Sequence, residues 1–111
     1  FKPNTDDIRD STSMIIAKNL SNKGAKLKVY DPKAMKKAKS SMSELLLCDD
    51  AYETCKNSHG LIIATEWNEF RALDLQKIKL LLKKPFIFDL RNIYNSQEIL
   101  TAGLKYFGIG K

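Results

Sequence analysis

A chain of 111 residues with 43% hydrophobic and 29% charged residues is long enough for one globular domain with its own core. No run approaches the roughly 18 apolar residues that cross a bilayer, and no leader peptide precedes the first helix. We therefore expect a cytoplasmic protein, unless a targeting segment precedes residue 1. The net charge of +6 comes from 16 Lys and only 3 Arg. Because nucleic-acid surfaces favour Arg and stacking aromatic residues, we interpret the lysine-rich stretch 23–39 as a solvent-facing helix surface.

The two Cys residues and the first residue further narrow the kind of protein that this chain can be. Cys48 and Cys55 form no CxxC pair and have no histidine-rich neighbourhood, so we expect reduced thiols rather than a zinc site. The first residue is Phe and not an initiator Met. We interpret the chain as a fragment of a longer protein.

The first half of the chain predicts helices that alternate with short strands. Ser11 or Asp10 can cap a helix that ends at Gly24, the usual left-handed stop. The segment KLKVY alternates polar and apolar residues and ends at Asp31-Pro32, which indicates a strand. A basic helix over 33–41, the strand ELLLC and a short helix over 50–57 follow.

The second half predicts two buried strands, each followed by a helix, and a last, more exposed strand. GLIIAT is a continuous apolar run, as expected of a central strand that is covered on both faces. A helix with apolar residues at helical spacing over 75–82 leads to the second buried strand, PFIFDL. Asn95 and Glu98 have the spacing of a capping box for a final helix, and LKYFGIG forms the last strand.

Strands that alternate with helices predict an α/β fold, here a Rossmann-like three-layer domain with a mainly parallel sheet. The predicted order begins with a helix, whereas a doubly wound sheet begins with its central strand. We therefore expect the first, central strand to lie largely upstream of residue 1. A single domain is expected to occupy residues 1–111.

The candidate binding residues lie near the predicted carboxyl ends of the strands, where open parallel sheets bind ligands. Lys2, Arg9 and Arg91 are the cations in these segments that could meet phosphate groups. Asp31 is similar to the acidic residue that holds the ribose of a nicotinamide cofactor. However, no GxGxxG turn precedes the first helix, so we favour a turn or cap role for Asp31.

Residues that could carry catalysis are few. His59 has no nucleophile beside it, so a turn position is favoured over a catalytic base. Trp67 and Phe70 could form a wall for a base, but an aromatic plug over the end of the sheet is the favoured interpretation. No catalytic constellation is present in the sequence, and no bound metal is expected.

Five segments carry a resemblance to a known family. They are FKPNTDDIRDS, the VYDP turn, TEWNEF, FDLRNIY and the closing YFGIG. Together they resemble the C-terminal, UDP-binding domain of the UDP-glucose dehydrogenase branch of the UDP-glucose/GDP-mannose dehydrogenases. The match covers essentially the whole chain in order, and the FKPNTDDIR and TEW-EFR blocks are the strongest parts.

The resemblance implies an NAD-dependent parent enzyme that oxidises UDP-glucose to UDP-glucuronate in two hydride transfers. An N-terminal domain would bind most of the NAD, and a helical middle segment would form a homodimer. The catalytic Cys would also lie outside this chain, so the fragment alone is expected to be inactive. Neither nucleic acid nor a membrane is expected as a partner.

The resemblance also assigns site residues. Phe1, Lys2 and Arg91 match positions that contact the nucleotide-sugar, and Arg9 matches an Arg that reaches NAD. Asp6, Asp7 and Asp10 would either cap the first helix or orient Lys2 and Arg9. Leu90 departs from the family, in which many members have Gly before the Arg.

Two alternatives remain open from the sequence. The same domain could belong to a dehydrogenase of a UDP-N-acetylhexosamine or of GDP-mannose, because the residues that select the sugar would lie mostly outside this chain. The net charge of +6 could instead serve a non-catalytic module that binds acidic polymers.

Overall fold

The computed structural model describes residues 12–32, 35–65 and 67–108. The chain divides into two compact units, Phe1–Ala51 and Tyr52–Lys111. Each unit has a parallel sheet and an apolar core of its own. None of the helices in the described ranges is long and apolar enough to cross a membrane.

The first unit alternates helices with very short strands. Its elements are α1 (Thr12–Asn22), β1 (Lys28–Val29), α2 (Met35–Ser41) and β2 (Leu46–Leu47). The two strands pair in parallel, and Met14, Met42 and Leu45 form the buried core. Gly24 follows α1 with a φ of 93°, a left-handed conformation that favours glycine, as the sequence predicts.

The second unit contains a three-stranded parallel sheet in the order β3-β4-β5. Its elements are α3 (Ala51–Cys55), which begins at the last residue of the first unit, then β3 (Leu61–Ile63), α4 (Asn68–Arg71), α5 (Leu75–Leu81), β4 (Phe86–Asp89), α6 (Ser96–Thr101) and β5 (Lys105–Gly108). Ile63 lies opposite Asp89, and Asp89 lies opposite Gly108. The carboxyl ends of all three strands therefore meet at one edge of this sheet.

Apolar residues of helices and strands form the core of the second unit. Ile87 of β4 and Ile99 of α6 are completely buried, and Ile78 of α5 is 1% exposed. Burial of each such side chain stabilises the fold by about 1.5–3 kcal/mol. The buried members of the core are Cys55, Ile63, Ile78, Leu82, Ile87, Tyr94, Ile99, Ala102 and Leu104.

Side-chain caps set the start of two helices in the second unit. The Asp74 carboxylate accepts hydrogen bonds from the backbone N–H groups of Gln76 (3.1 Å) and Lys77 (3.3 Å), so α5 begins at Leu75. The Asn95 side chain accepts a hydrogen bond of 2.8 Å from Gln97 N–H at the start of α6. The cap predicted at Asn95 is confirmed.

Aromatic side chains cover the other face of the three-stranded sheet. Side chains alternate between the two faces along a strand, so Phe86 and Phe88 point to the face opposite that of the buried Ile87. Phe88 stacks on Phe107 with ring centroids 5.0 Å apart, and Phe86 meets Phe107 edge to face at 6.1 Å. We call Ile62, Phe86, Phe88 and Phe107 the aromatic face; Phe107 remains 48% exposed on it.

The predicted fold class is confirmed, since parallel strands alternate with helices, but several elements differ in extent. The strand predicted in ELLLC is reduced to two exposed residues, and the helix predicted over 75–82 is confirmed as α5, whereas α4 is a short helix that the sequence did not predict. The prediction that GLIIAT is covered on both faces is wrong in this chain, because Ile62 is 40% exposed. The described strands form two sheets, whereas the sequence predicted one. The strand expected upstream of residue 1 lies outside the described residues.

Candidate functional site

Only part of the predicted site falls within the described residues. Phe1, Lys2 and Arg9, together with the neighbouring Asp residues of the first segment, lie outside them. Arg91 is described, and its side chain is exposed just after the carboxyl end of β4. The geometry of the candidate site is therefore the geometry of the turn that carries Arg91.

A buried carboxylate organises this turn. Asp89 is the last residue of β4 and is 0% exposed. Its Oδ1 accepts a hydrogen bond from Arg91 N–H (3.1 Å), and its Oδ2 accepts one from Tyr94 N–H (2.9 Å). The Tyr106 hydroxyl lies 2.9 Å from the same Oδ2 and donates to it. Both carboxylate oxygens thus bind the main chain of the turn, one at its start and one at its end.

Further hydrogen bonds fix the turn from outside. Leu90 N–H donates to the carbonyl oxygen of Ile63 in β3 (2.9 Å), and the Tyr94 hydroxyl donates to the carbonyl oxygen of Phe70 in α4. Asn92 has a φ of 53°, a left-handed conformation that Asn tolerates better than most residues. The backbone beside Arg91 is therefore held by β3, α4 and β5 at once.

The two tyrosines of this network are held as neutral hydrogen-bond donors. Burial, followed by the nearby charge of Asp89, raises the pKa of Tyr94 from 10.0 to about 12. Burial, followed by the hydrogen bond to Asp89, raises the pKa of Tyr106 from 10.0 to about 12. Both hydroxyls consequently keep their protons throughout the physiological range.

Gly108 leaves room for Tyr106 to reach Asp89. A Cβ atom at Gly108 would lie 2.8 Å from Cε2 and 2.9 Å from the hydroxyl oxygen of Tyr106, closer than side chains approach one another. It would also lie 3.0 Å from Oδ1 of Asn92. The glycine at the end of β5 is thus required by a close contact and not by a left-handed backbone.

Comparison with known proteins identifies the family of the chain that contains this turn. The model of the UDP-binding domain of the UDP-glucose/GDP-mannose dehydrogenase family matches residues 1–96. The chain belongs to this family. The resemblance seen in the five sequence segments is confirmed.

Curated relatives of this UDP-glucose/GDP-mannose dehydrogenase family domain are longer proteins. The UDP-glucose 6-dehydrogenase of Rhizobium meliloti is 43% identical over 100% of the chain and 25% of its own length. That of Rickettsia bellii is 42% identical over 99% of the chain and 26% of its own length. The chain spans about a quarter of the curated relatives that it matches.

Solved structures support the Rossmann-like fold of this family domain. An NDP-N-acetyl-D-galactosaminuronic acid dehydrogenase from Methanosarcina mazei has a TM-score of 0.79 at 22% identity, covering 100% of this chain and 23% of the other. A UDP-glucose dehydrogenase from Pyrobaculum islandicum has a TM-score of 0.74 at 32% identity, covering 88% of this chain and 21% of the other. The predicted fold class is confirmed by both.

Leu90 is compatible with the backbone of this family domain. It is half-buried, and its φ is not among the positive values, so the backbone at this position does not require Gly. Its N–H makes the hydrogen bond to β3 described above. A leucine at this position therefore fits the turn.

The other residues that the sequence singled out lie in surroundings that indicate a structural role. His59 is exposed in a bend before β3, and Asp31 is buried, with 3% exposure, in the first unit. Cys48 and Cys55 are both buried, and no disulfide joins them. Among the described residues, no group of His, Cys, Asp and Glu has the arrangement of a metal site.

Phe70 takes part in the structure of the turn instead of presenting a free ring. Its side chain is 8% exposed, and its carbonyl oxygen receives the Tyr94 hydroxyl. Trp67, directly before α4, is half-buried. Burial of Phe70 is in keeping with the aromatic plug that the sequence favoured.

Sequence reasoning selected Arg91 and the end of β4 as candidates but missed the link between Asp89, Tyr94 and Tyr106. The rule that ligands meet the carboxyl ends of strands selects the segment. An acidic residue at the end of an otherwise apolar strand is the signal that could have directed attention to Asp89. Its tyrosine partners have no such local signal.

A shallow depression in the second unit does not suit a diphosphate. It has a volume of about 650 Å³ and lies beside the starts of α5 and α6. The carboxylates of Asp74 and Glu98 are among the groups that line it, and they repel anions. The turn with Arg91 is therefore the better candidate for contact with a nucleotide-sugar.

Proposed function

We propose that the chain is the C-terminal, UDP-sugar-binding domain of an NAD-dependent UDP-glucose 6-dehydrogenase. The observation that carries this function is the family match over residues 1–96, joined to 43% identity with a UDP-glucose 6-dehydrogenase over the whole chain. The parent enzyme oxidises the C6 alcohol of UDP-glucose to the carboxylate of UDP-glucuronate. Two hydrides pass to two NAD, and one water supplies the second carboxylate oxygen, which balances this four-electron oxidation.

Residues 1–111 act as a single domain in this proposal. The remaining three quarters of the parent supplies the NAD-binding domain, the dimer-forming segment and the nucleophilic Cys. The two Cys of this chain are buried, which supports a catalytic thiol that lies elsewhere. The contribution of this chain is to bind and orient the nucleotide-sugar.

The cations of the domain have separate roles. Phe1, Lys2 and Arg91 contact the nucleotide-sugar, where a guanidinium group can form paired hydrogen bonds with phosphate oxygens. Arg9 contacts the NAD that is bound mainly by the other domain. Exposure of Arg91 beside the carboxyl end of β4 supports its role, because parallel sheets bind ligands at that edge.

Neither alternative has comparable support. Eight curated relatives at 36–43% identity are UDP-glucose 6-dehydrogenases. The neighbour that acts on an N-acetylated sugar is only 22% identical, so it informs the fold alone. No observation on the described residues favours an acidic polymer over a nucleotide-sugar.

Steady-state kinetics of the full-length enzyme test this function. We expect turnover of UDP-glucose, and little or none of GDP-mannose or of a UDP-N-acetylhexosamine. Inactivity on UDP-glucose together with turnover of another nucleotide-sugar would overturn the proposed substrate.

Two arginine variants of the full-length enzyme separate the roles of the cations. Arg91→Ala should raise the KM for UDP-glucose about tenfold or more, because it removes charge-assisted hydrogen bonds. Arg9→Ala should mainly raise the KM for NAD. Lys84→Ala is the matched control, since it removes an exposed positive charge just before β4, at the opposite end of the strand. An unchanged NAD constant in Arg9→Ala would remove the cofactor role of that residue.

A further inference from the structure

Asp89 stands out because a carboxylate occupies a place that an apolar residue could fill. It is 0% exposed and follows Phe86, Ile87 and Phe88 in β4. A buried carboxylate is costly unless hydrogen bonds satisfy it, and well-packed apolar residues often stabilise a core as well or better. The stability of the core alone therefore gives only a weak reason for a carboxylate at this position.

The partners of Asp89 give a stronger reason. Its two oxygens bind Arg91 N–H at 3.1 Å and Tyr94 N–H at 2.9 Å, so the carboxylate joins both ends of the turn. The Tyr106 hydroxyl, 2.9 Å from Asp89 and 3.2 Å from the carbonyl oxygen of Tyr94, connects the turn to β5. The backbone of Arg91 is thus bonded directly to a fully buried carboxylate.

We propose, on the basis of the function proposed above, that Asp89 is a positioning residue for the nucleotide-sugar site. It holds the main chain of residues 90–94 in the one conformation from which the Arg91 guanidinium meets the diphosphate. Tyr106 supports this role by holding the Asp89 carboxylate in place.

The physical reason is the length of the arginine side chain. Arg has a large rotamer entropy, and a binding site loses affinity when its backbone anchor must also be ordered upon binding. A displacement of about 1 Å at the anchor moves the guanidinium out of paired contact with phosphate oxygens. A turn that is already fixed in the free protein removes this ordering cost.

An isosteric change at Asp89 tests the role without altering side-chain volume. The amide of Asp89→Asn has one acceptor oxygen and one NH₂ donor. Its NH₂ group must face either the N–H of Arg91 or the N–H of Tyr94, and in both cases two donors meet. The variant therefore frees one end of the turn while the strand keeps its packing.

Kinetics of the full-length enzyme provide the readout. We expect Asp89→Asn to raise the KM for UDP-glucose and the Kd for UDP about tenfold, with the KM for NAD unchanged within about twofold. Tyr106→Phe keeps both main-chain hydrogen bonds and should shift the same constants in the same direction by less. It also serves as the test if Asp89→Asn does not fold. Asp74→Asn is the matched control, because Asn also caps helices and the exposed Asp74 lies outside the turn.

A double variant shows whether Asp89 acts through Arg91. In the Arg91→Ala enzyme, Asp89→Asn should cause no further rise in the KM for UDP-glucose, since nothing remains to be positioned. Equal effects in both backgrounds would overturn the positioning role, as would a lower Tm in Asp89→Asn with an unchanged KM. If Arg91→Ala alone leaves the KM unchanged, the binding role of Arg91 fails, and the role of Asp89 fails with it. If Arg91→Ala raises the KM and neither Asp89→Asn nor Tyr106→Phe does, only the inference about Asp89 fails.

Discussion

The close contact between Gly108 and Tyr106 predicts a large cost for a single methyl group. In Gly108→Ala the new Cβ would lie 2.8 Å from Cε2 of Tyr106, roughly 1 Å inside the normal separation of carbon atoms. A ring that retreats from this Cβ strains the hydrogen bond of 2.9 Å from its hydroxyl to Asp89. Overpacking and the weakened bond together should lower the free energy of unfolding by about 2–4 kcal/mol.

Urea unfolding of the chain, followed by the fluorescence of its single Trp, measures this change. Gly60→Ala is the control, because a Cβ there would lie 3.4 Å from Phe88, an ordinary contact, and should cost less than about 1 kcal/mol. A double-mutant cycle with Tyr106→Val locates the clash. With the ring removed, Gly108→Ala should become milder by about 1–2 kcal/mol. Additive effects of the two substitutions would show that Tyr106 is not what Gly108 accommodates.

Two further predictions concern alkaline pH and a helix cap. The pKa values of Tyr94 and Tyr106 are raised from 10.0 to about 12 in the folded chain, so their stabilising contribution is complete below pH 10 and is lost as the pH rises through 12. Urea unfolding between pH 9 and 11.5 should show a shallower loss of stability in a Tyr94→Phe, Tyr106→Phe variant; equal slopes would contradict the shifts. Asp74→Ala removes the cap of α5 and should cost about 1 kcal/mol in the same assay, whereas Asp74→Asn should cost little.

The sequence was informative where burial dictates structure locally. PFIFDL and GLIIAT were predicted as strands because continuous apolar runs need a sheet that buries them, and the two pair in parallel. The cap at Asn95 was predictable because it depends only on residues within one turn of a helix. The strands of the first unit were less predictable in extent, since Leu46 and Leu47 are exposed.

The candidate site was predictable only in part, because only some of its contacts depend on residues that are close in the sequence. Arg91 follows from the general rule that ligands meet the carboxyl ends of parallel strands. The partners of its turn come from distant segments, since Tyr106 is 17 residues from Asp89 and Phe70 is 24 residues from Tyr94. No local pattern of apolar residues and no secondary-structure propensity predicts a hydrogen bond between such distant segments. The helix α4 escaped prediction because its four residues are too few to show a helical period.

The aromatic face of the second unit affects how the protein behaves at high concentration. Phe107 lies 48% exposed on β5, an outer strand of the sheet order β3-β4-β5. Outer strands with exposed aromatic residues are templates for pairing with other chains, and a charge beside them opposes aggregation. Lys105 lies on the same strand, with its Nζ 5.6 Å from the centroid of the Phe86 ring. This lysine is therefore placed as a gatekeeper beside the exposed ring of Phe107, a position that has no part in the candidate site.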